Sequence, residues 1–140
     1  MRDYLNVRMT PQEIGAVSNL GLAHIGDCVY ELLVRSWIVA HGGVTNQGIH
    51  AATMDFVCAS AQARASEALL PLLTQEESDV FRRGRNSRVN SMPKNAAPGD
   101  YHAATGLECL FGWLYLRGEH ARINELFEAI LEKESCRLTP

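Results

Sequence analysis

The sequence predicts an all-α fold, a helical bundle of about six to seven helices forming a single domain over residues 1–140. Three observations lead there. Thr10-Pro11-Gln12-Glu13 and Thr74-Gln75-Glu76-Glu77 each place a threonine three residues ahead of a glutamate, the reciprocal capping pattern that opens a helix. Apolar residues recur at helical spacing through long segments that stop at glycine. No segment of useful length alternates with period two. With 46% hydrophobic side chains among 140 residues, the chain can build one core but not two.

Taken in order, Thr10 caps a short helix with Pro11 at its first position. From about Ser18 to Ala40 the residues are apolar around most of the circumference, through Leu20, Leu22, Ile25, Val29, Leu32, Leu33, Trp37 and Ile38, and the run ends at His41-Gly42-Gly43. Such a pattern predicts a central, buried helix, bent near Gly26. Thr45 or Asn46 caps the next element, and one helix is expected over Met54 to Leu70, stopping at Pro71. Thr74 opens a helix running into Arg82 and Arg83. The stretch Asn86 to Gly99 is rich in turn formers and reads as a loop, followed by a largely apolar helix over Tyr101 to Leu116 that Gly118 ends. Ile123, Leu126, Phe127, Ile130 and Leu131 mark a last amphipathic helix.

Composition excludes several functional classes. No apolar run approaches the roughly 18 residues that span a bilayer, and Met1-Arg2-Asp3-Tyr4 lacks the layout of a secretion signal, so a cytoplasmic protein without membrane association is expected. The four cysteines, at 28, 58, 109 and 136, form no Cys-x-x-Cys pair, and with the scattered histidines they supply no zinc-like cluster.

Charge is distributed unevenly. The chain carries 13 basic and 16 acidic residues, for a net charge of −3. Between Val80 and Gly99, however, stand Arg82, Arg83, Arg85, Arg88 and Lys94 with no acid among them. A cationic segment on an acidic body is a local site, and its arginines, together with Asn86 and Asn95, suit the phosphates and 2′-hydroxyls of RNA. A solvated surface loop would show the same composition.

Two carboxylates stand in apolar surroundings: Asp27 between Ile25 and Val29, and Glu108 between Leu107 and Leu110. An unpaired buried carboxylate costs several kcal/mol in order of magnitude, so each calls for a cation, a cap role or a partner. Helical spacing puts His24, Asp27 and Glu31 on one face and Thr105, Glu108 and Gly112 on another. If the two faces meet, their oxygens could hold Mg²⁺ beside a phosphodiester. Alternatively, Asp27 caps a new helix after a break at Gly26, and Glu108 pairs with a buried arginine. Glu31 and Arg35 have the spacing of an ordinary ion pair. His24 could support the metal or simply pack; Thr105 could bond Glu108, bind metal through water, or bond back to its own helix. Cys28 and Cys109 are expected to pack beneath the site.

The segments Leu22 to Glu31, Arg83-Gly84-Arg85-Asn86 and Ala104 to Gly112, in that order, resemble Mini-ribonuclease III, the short branch of the ribonuclease III family, across roughly Leu20 to Leu131. The resemblance implies a ribonuclease III-type endonuclease domain, dimeric as two identical chains, cleaving double-stranded RNA with Mg²⁺ to leave 5′-phosphates. It further implies maturation of the large-subunit (23S) ribosomal RNA precursor, and a length without room for a double-stranded-RNA-binding domain. Asp27 matches the catalytic aspartate and Glu108 the metal-binding glutamate, while the loop from Gly84 to Asn95 matches the segment that engages duplex RNA in the short branch. Full-length relatives carry a glutamate four residues before the aspartate and an aspartate three before the glutamate; here those positions are Ala23 and Thr105. The thinner carboxylate set leaves a non-catalytic ribosomal-RNA-binding module as the alternative, and a helical protein-interaction domain as a third reading.

Overall fold

The computed structural model describes residues 2–42, 45–88 and 91–138, with side chains to residue 135. The expected roles of Gly43 in ending a helix, of Val89 and Asn90 in the loop and of the Cys136 side chain lie outside the described residues. Seven α-helices and no strand occur among the described residues: α1 (Pro11–Gly15), α2 (Asn19–His41), α3 (Gly48–Val57), α4 (Ala59–Leu69), α5 (Gln75–Arg85), α6 (Pro98–Leu116) and α7 (His120–Leu138), with a 3-10 turn over Leu70–Leu72. None is long and apolar enough to cross a membrane.

Both capping boxes form. Thr10 and Thr74 accept from the Glu13 and Glu77 amides, and each glutamate reaches back to its threonine's own amide. Ser18 caps α2, and Thr45 Oγ1 accepts from the Gly48 amide at 3.0 Å ahead of α3. Gly42 and Gly118 carry the positive φ angles, +63° and +76°, that turn the chain away from α2 and α6.

The single helix expected over Met54 to Leu70 is instead two. Cys58 is extended, with ψ at 157°, and both ends α3 and precedes α4. No glycine or proline marks that break; the Gln62 side chain, which donates to the Val57 carbonyl at 3.1 Å, compensates it. Helix α6 also begins earlier than expected, because Pro98 occupies its first turn instead of blocking it.

The most enclosed helix is α6, packed against α2, α4, α5 and α7, not α2 as its composition suggests. Tyr30 of α2 meets Phe111 of α6 edge-on at 5.4 Å between centroids and Phe127 of α7 at 6.1 Å. Around them lie Val34, Leu69, Leu107, Leu110, Leu114, Leu126 and Ile130, all essentially without solvent contact. One flank of α2 faces outward instead, leaving Leu20, Leu32 and Val39 exposed at 76%, 62% and 72%.

Gly26 does not break α2, which continues through it. It allows close approach. A Cβ at Gly26 would lie 1.6 Å from the Glu108 carbonyl oxygen, and one at Gly112 would lie 2.0 Å from that of Leu22. The two backbones therefore touch where α2 crosses α6.

Candidate active site

That crossing brings the two predicted carboxylates together. Asp27 and Glu108 line one open pocket of about 540 Å³ with Ser18, Leu20, Gly21, Ala23 and His24. Because Gly26 abuts the backbone of Glu108 itself, the neighbouring Asp27 is placed by main-chain contact, not by a flexible loop.

Their environments differ from expectation. Asp27 is exposed and Glu108 half-buried; among the described residues the buried acid is Glu77. Arg122 neutralises Glu77 with two bonds, from Nε at 2.9 Å and Nη2 at 2.8 Å, which hold the Glu77 carboxyl below its ordinary range. Glutamate in a capping box gave no sign of this partner 45 residues away.

Glu108 has no such compensation: no ion pair to it occurs among the described residues, so the alternative of a buried arginine partner is set aside. Burial, and then the charge of Asp27, push the Glu108 carboxyl up to about 7, and the Gln62 amide beside it works in the opposite direction. Asp27 is raised as well, by burial and by Glu31, with His24 favouring its charged form. Asp27 lies mid-helix and caps nothing. Two carboxylates in one pocket, with the charge of Asp27 opposing ionisation of Glu108 and neither in an ion pair among the described residues, set the electrostatic condition a cation relieves.

Among the remaining residues, Glu31 pairs with Arg35 at 3.6 Å. Thr105 donates to the Tyr101 carbonyl at 3.0 Å, so it bonds its own helix and not Glu108. Cys109 is buried with its thiol on the Asn19 carbonyl at 3.1 Å, whereas Cys28 is exposed and does not pack beneath the site. Sequence reasoning missed Gln62, whose only cue was a polar side chain in the alanine-rich stretch Ala59-Ser60-Ala61-Gln62-Ala63.

All seven predicted RNA-contact residues, Arg82, Arg83, Arg85, Asn86, Arg88, Lys94 and Asn95, are exposed. Arg82 is engaged by Asp79, and Arg85 lies 5.8 Å from the Phe81 ring. The Asn19 amide approaches the Arg83 carbonyl at 3.5 Å. The C-terminal end of α5 thus adjoins the first turn of α2, whose Ser18, Leu20 and Gly21 form the rim of the carboxylate pocket. A second groove of about 420 Å³, between α1, α5 and α6, holds Arg83 and Arg117, but Arg117 is paired with Glu76 and stacked on Trp113, and the carboxylate pair lies elsewhere.

Comparison with known proteins bears on the family and the fold. A model of the ribonuclease III domain matches residues 20–119. A Mini-ribonuclease 3 of Symbiobacterium thermophilum is 43% identical over 110 residues, covering 79% of this chain and 85% of the relative. One from Clostridium tetani is 38% identical over 133 residues, covering 94% and 88%. The crystal structure of a Fusobacterium nucleatum protein shares the fold, with a TM-score of 0.78 at 24% identity over 87% of this chain and 98% of that one.

Proposed function

The chain belongs to the ribonuclease III domain family, in its Mini-ribonuclease 3 branch, and is an endoribonuclease; we propose that it cuts double-stranded RNA with Mg²⁺ held by Asp27 and Glu108. The observation that carries this is the meeting of two carboxylates from α2 and α6 in one pocket, neither of them in an ion pair among the described residues.

The donor set fits the ion. Mg²⁺ takes one or two carboxylates and fills its remaining positions with water and substrate phosphate. No group of three or more His, Cys, Asp or Glu ligands occurs among the described residues, so Asp27 and Glu108 would leave most of the ion's positions to water and phosphate. When bound, the ion supplies charge neutralisation at a scissile phosphate and acidifies water. Asp27 and Glu108 would hold it, and His24, beside Asp27, partly offsets the burial and the Glu31 charge that disfavour ionised Asp27.

The exposed end of α5 and the loop after it position the duplex. Arg83, Arg85, Arg88 and Lys94 are outside every ion pair found among the described residues and remain available to phosphate, with Asn86 and Asn95 reaching 2′-hydroxyls; Arg82 contributes after exchanging Asp79 for phosphate. Leu20, Leu32 and Val39, exposed along α2, suit burial against a second copy, consistent with a homodimer in which each subunit cuts one strand. The family resemblance supports the large-subunit ribosomal RNA precursor as substrate and the cytoplasm as location.

Asp27→Asn keeps the side-chain shape and removes half of the anionic pair. With a labelled RNA hairpin, cleavage by the wild type should require Mg²⁺ and fall at least about a hundredfold in this variant, while hairpin affinity in Ca²⁺ is retained. Undiminished cutting by Asp27→Asn would refute the mechanism. Binding without any Mg²⁺-dependent product from the wild type would favour the non-catalytic RNA-binding module, for which Ala23 and the self-bonded Thr105 speak.

A further inference from the structure

Gln62 stands on α4, which packs against α6, and is 2% exposed between Ala61 and Ala63. A glutamine so enclosed is unfavourable unless its amide is satisfied at both ends. Its Nε2 donates to the carbonyl of Val57, the last residue of α3, where the extended Cys58 leaves that carbonyl without a helical partner. Its Oε1 is buried with no partner among the described residues.

These facts fix the amide's orientation. Turning it over would set Oε1 against the Val57 carbonyl, two acceptors facing each other. With Nε2 held there, one of its two hydrogens is used on Val57 and the other remains for the carboxylate next to it, which is Glu108. A methionine would occupy a similar volume but leave the Val57 carbonyl unpaired, so the cap accounts for one hydrogen of the amide and packing for neither.

We propose that Gln62 is a positioning residue: anchored on the α3–α4 junction, its amide holds the Glu108 carboxylate facing Asp27, so that the divalent-ion site stands formed before the ion or RNA arrives. This rests on the reading of Asp27 and Glu108 as the metal-holding pair. Groups that orient a metal ligand typically matter by about 10- to 100-fold in metal affinity. Here the effect should fall on ion affinity and leave RNA affinity alone, because Gln62 is out of reach of any bound duplex.

The test is Mn²⁺ binding by the intact protein without RNA, followed by calorimetry, for the wild type, Gln62→Met and Gln62→Asn. Methionine removes the amide at constant volume. Asparagine keeps an amide too short to reach Val57 and Glu108 together, and decides the matter if the methionine variant does not fold. Both should bind Mn²⁺ about tenfold more weakly and need about tenfold more Mg²⁺ for half-maximal cleavage, with kcat at saturating Mg²⁺ and hairpin affinity in Ca²⁺ within about twofold of wild type. Wild-type Mn²⁺ affinity in a folded variant, whether or not its melting temperature drops, overturns the proposal and leaves Gln62 as a cap for α3 alone. A wild-type protein that binds no Mn²⁺ overturns it from the other side, by removing the metal-holding pair on which it rests.

Discussion

Glu108→Gln should make the protein more stable and inactive, with a pH dependence that identifies the cause. In the folded chain the Glu108 carboxyl is pushed from its ordinary 4.5 up to about 7. At about 1.36 kcal/mol per pH unit, that difference amounts to about 3 kcal/mol, which solvent at the open mouth of the pocket reduces to about 2 kcal/mol. Below pH 4.5 the group is protonated whether the chain is folded or not, and the penalty is absent. Between 4.5 and about 7 the unfolded chain releases a proton that the folded chain retains, so stability falls as pH rises; above about 7 the whole penalty is present. Urea unfolding in EDTA should therefore give nearly equal stabilities for wild type and Glu108→Gln near pH 4. Near pH 8 the variant should be ahead by about 2 kcal/mol. Adding Mg²⁺ at the higher pH should close the gap by stabilising the wild type alone, since only its site binds the ion. A gap that is the same at both pH values would show that Glu108 ionises freely in the fold, and the electrostatic description of the pocket would fail.

Two further substitutions probe the frame and the cationic surface. Gly26→Ala places a methyl group where the Glu108 carbonyl oxygen stands, at 1.6 Å, and should destabilise by about 3 kcal/mol as α2 is forced off α6; an unchanged thermal melt would show that the helices do not cross so closely. Replacing Arg83, Arg85 and Arg88 together by alanine should weaken hairpin binding and make the dependence of log affinity on log salt shallower by between about two and three, with Mn²⁺ binding intact. An unaltered salt slope would remove α5 and the following loop from the RNA surface.

The parts of this molecule encoded by neighbouring residues could be read directly from the chain. Thr10 with Glu13, and Thr74 with Glu77, announce their helices because each capping box closes within one turn. Asp27 and Glu108 stood out because acids at those positions contradict the apolar pattern around them. Features that depend on another element were hidden. Gly26 looks like a hinge until α6 is laid against it. The break at Cys58 carries no local signal, since the side chain that compensates it is Gln62 of the following helix. Glu77 reads only as a cap, although Arg122 of α7 makes it a buried ion pair. Asp27 proved exposed because α2 lies at the surface and keeps one flank in solvent, a placement that its uniform apolarity conceals.

The backbone contact at Gly26 and Gly112 has a consequence for how this scaffold can vary. Two missing methyl groups set the separation of the helices, so neither can slide or rotate to suit a larger ion or a differently shaped ligand set. Adaptation to new metal chemistry is thereby confined to exchanging the side chains around a rigid joint, such as Ala23, which lines the carboxylate pocket.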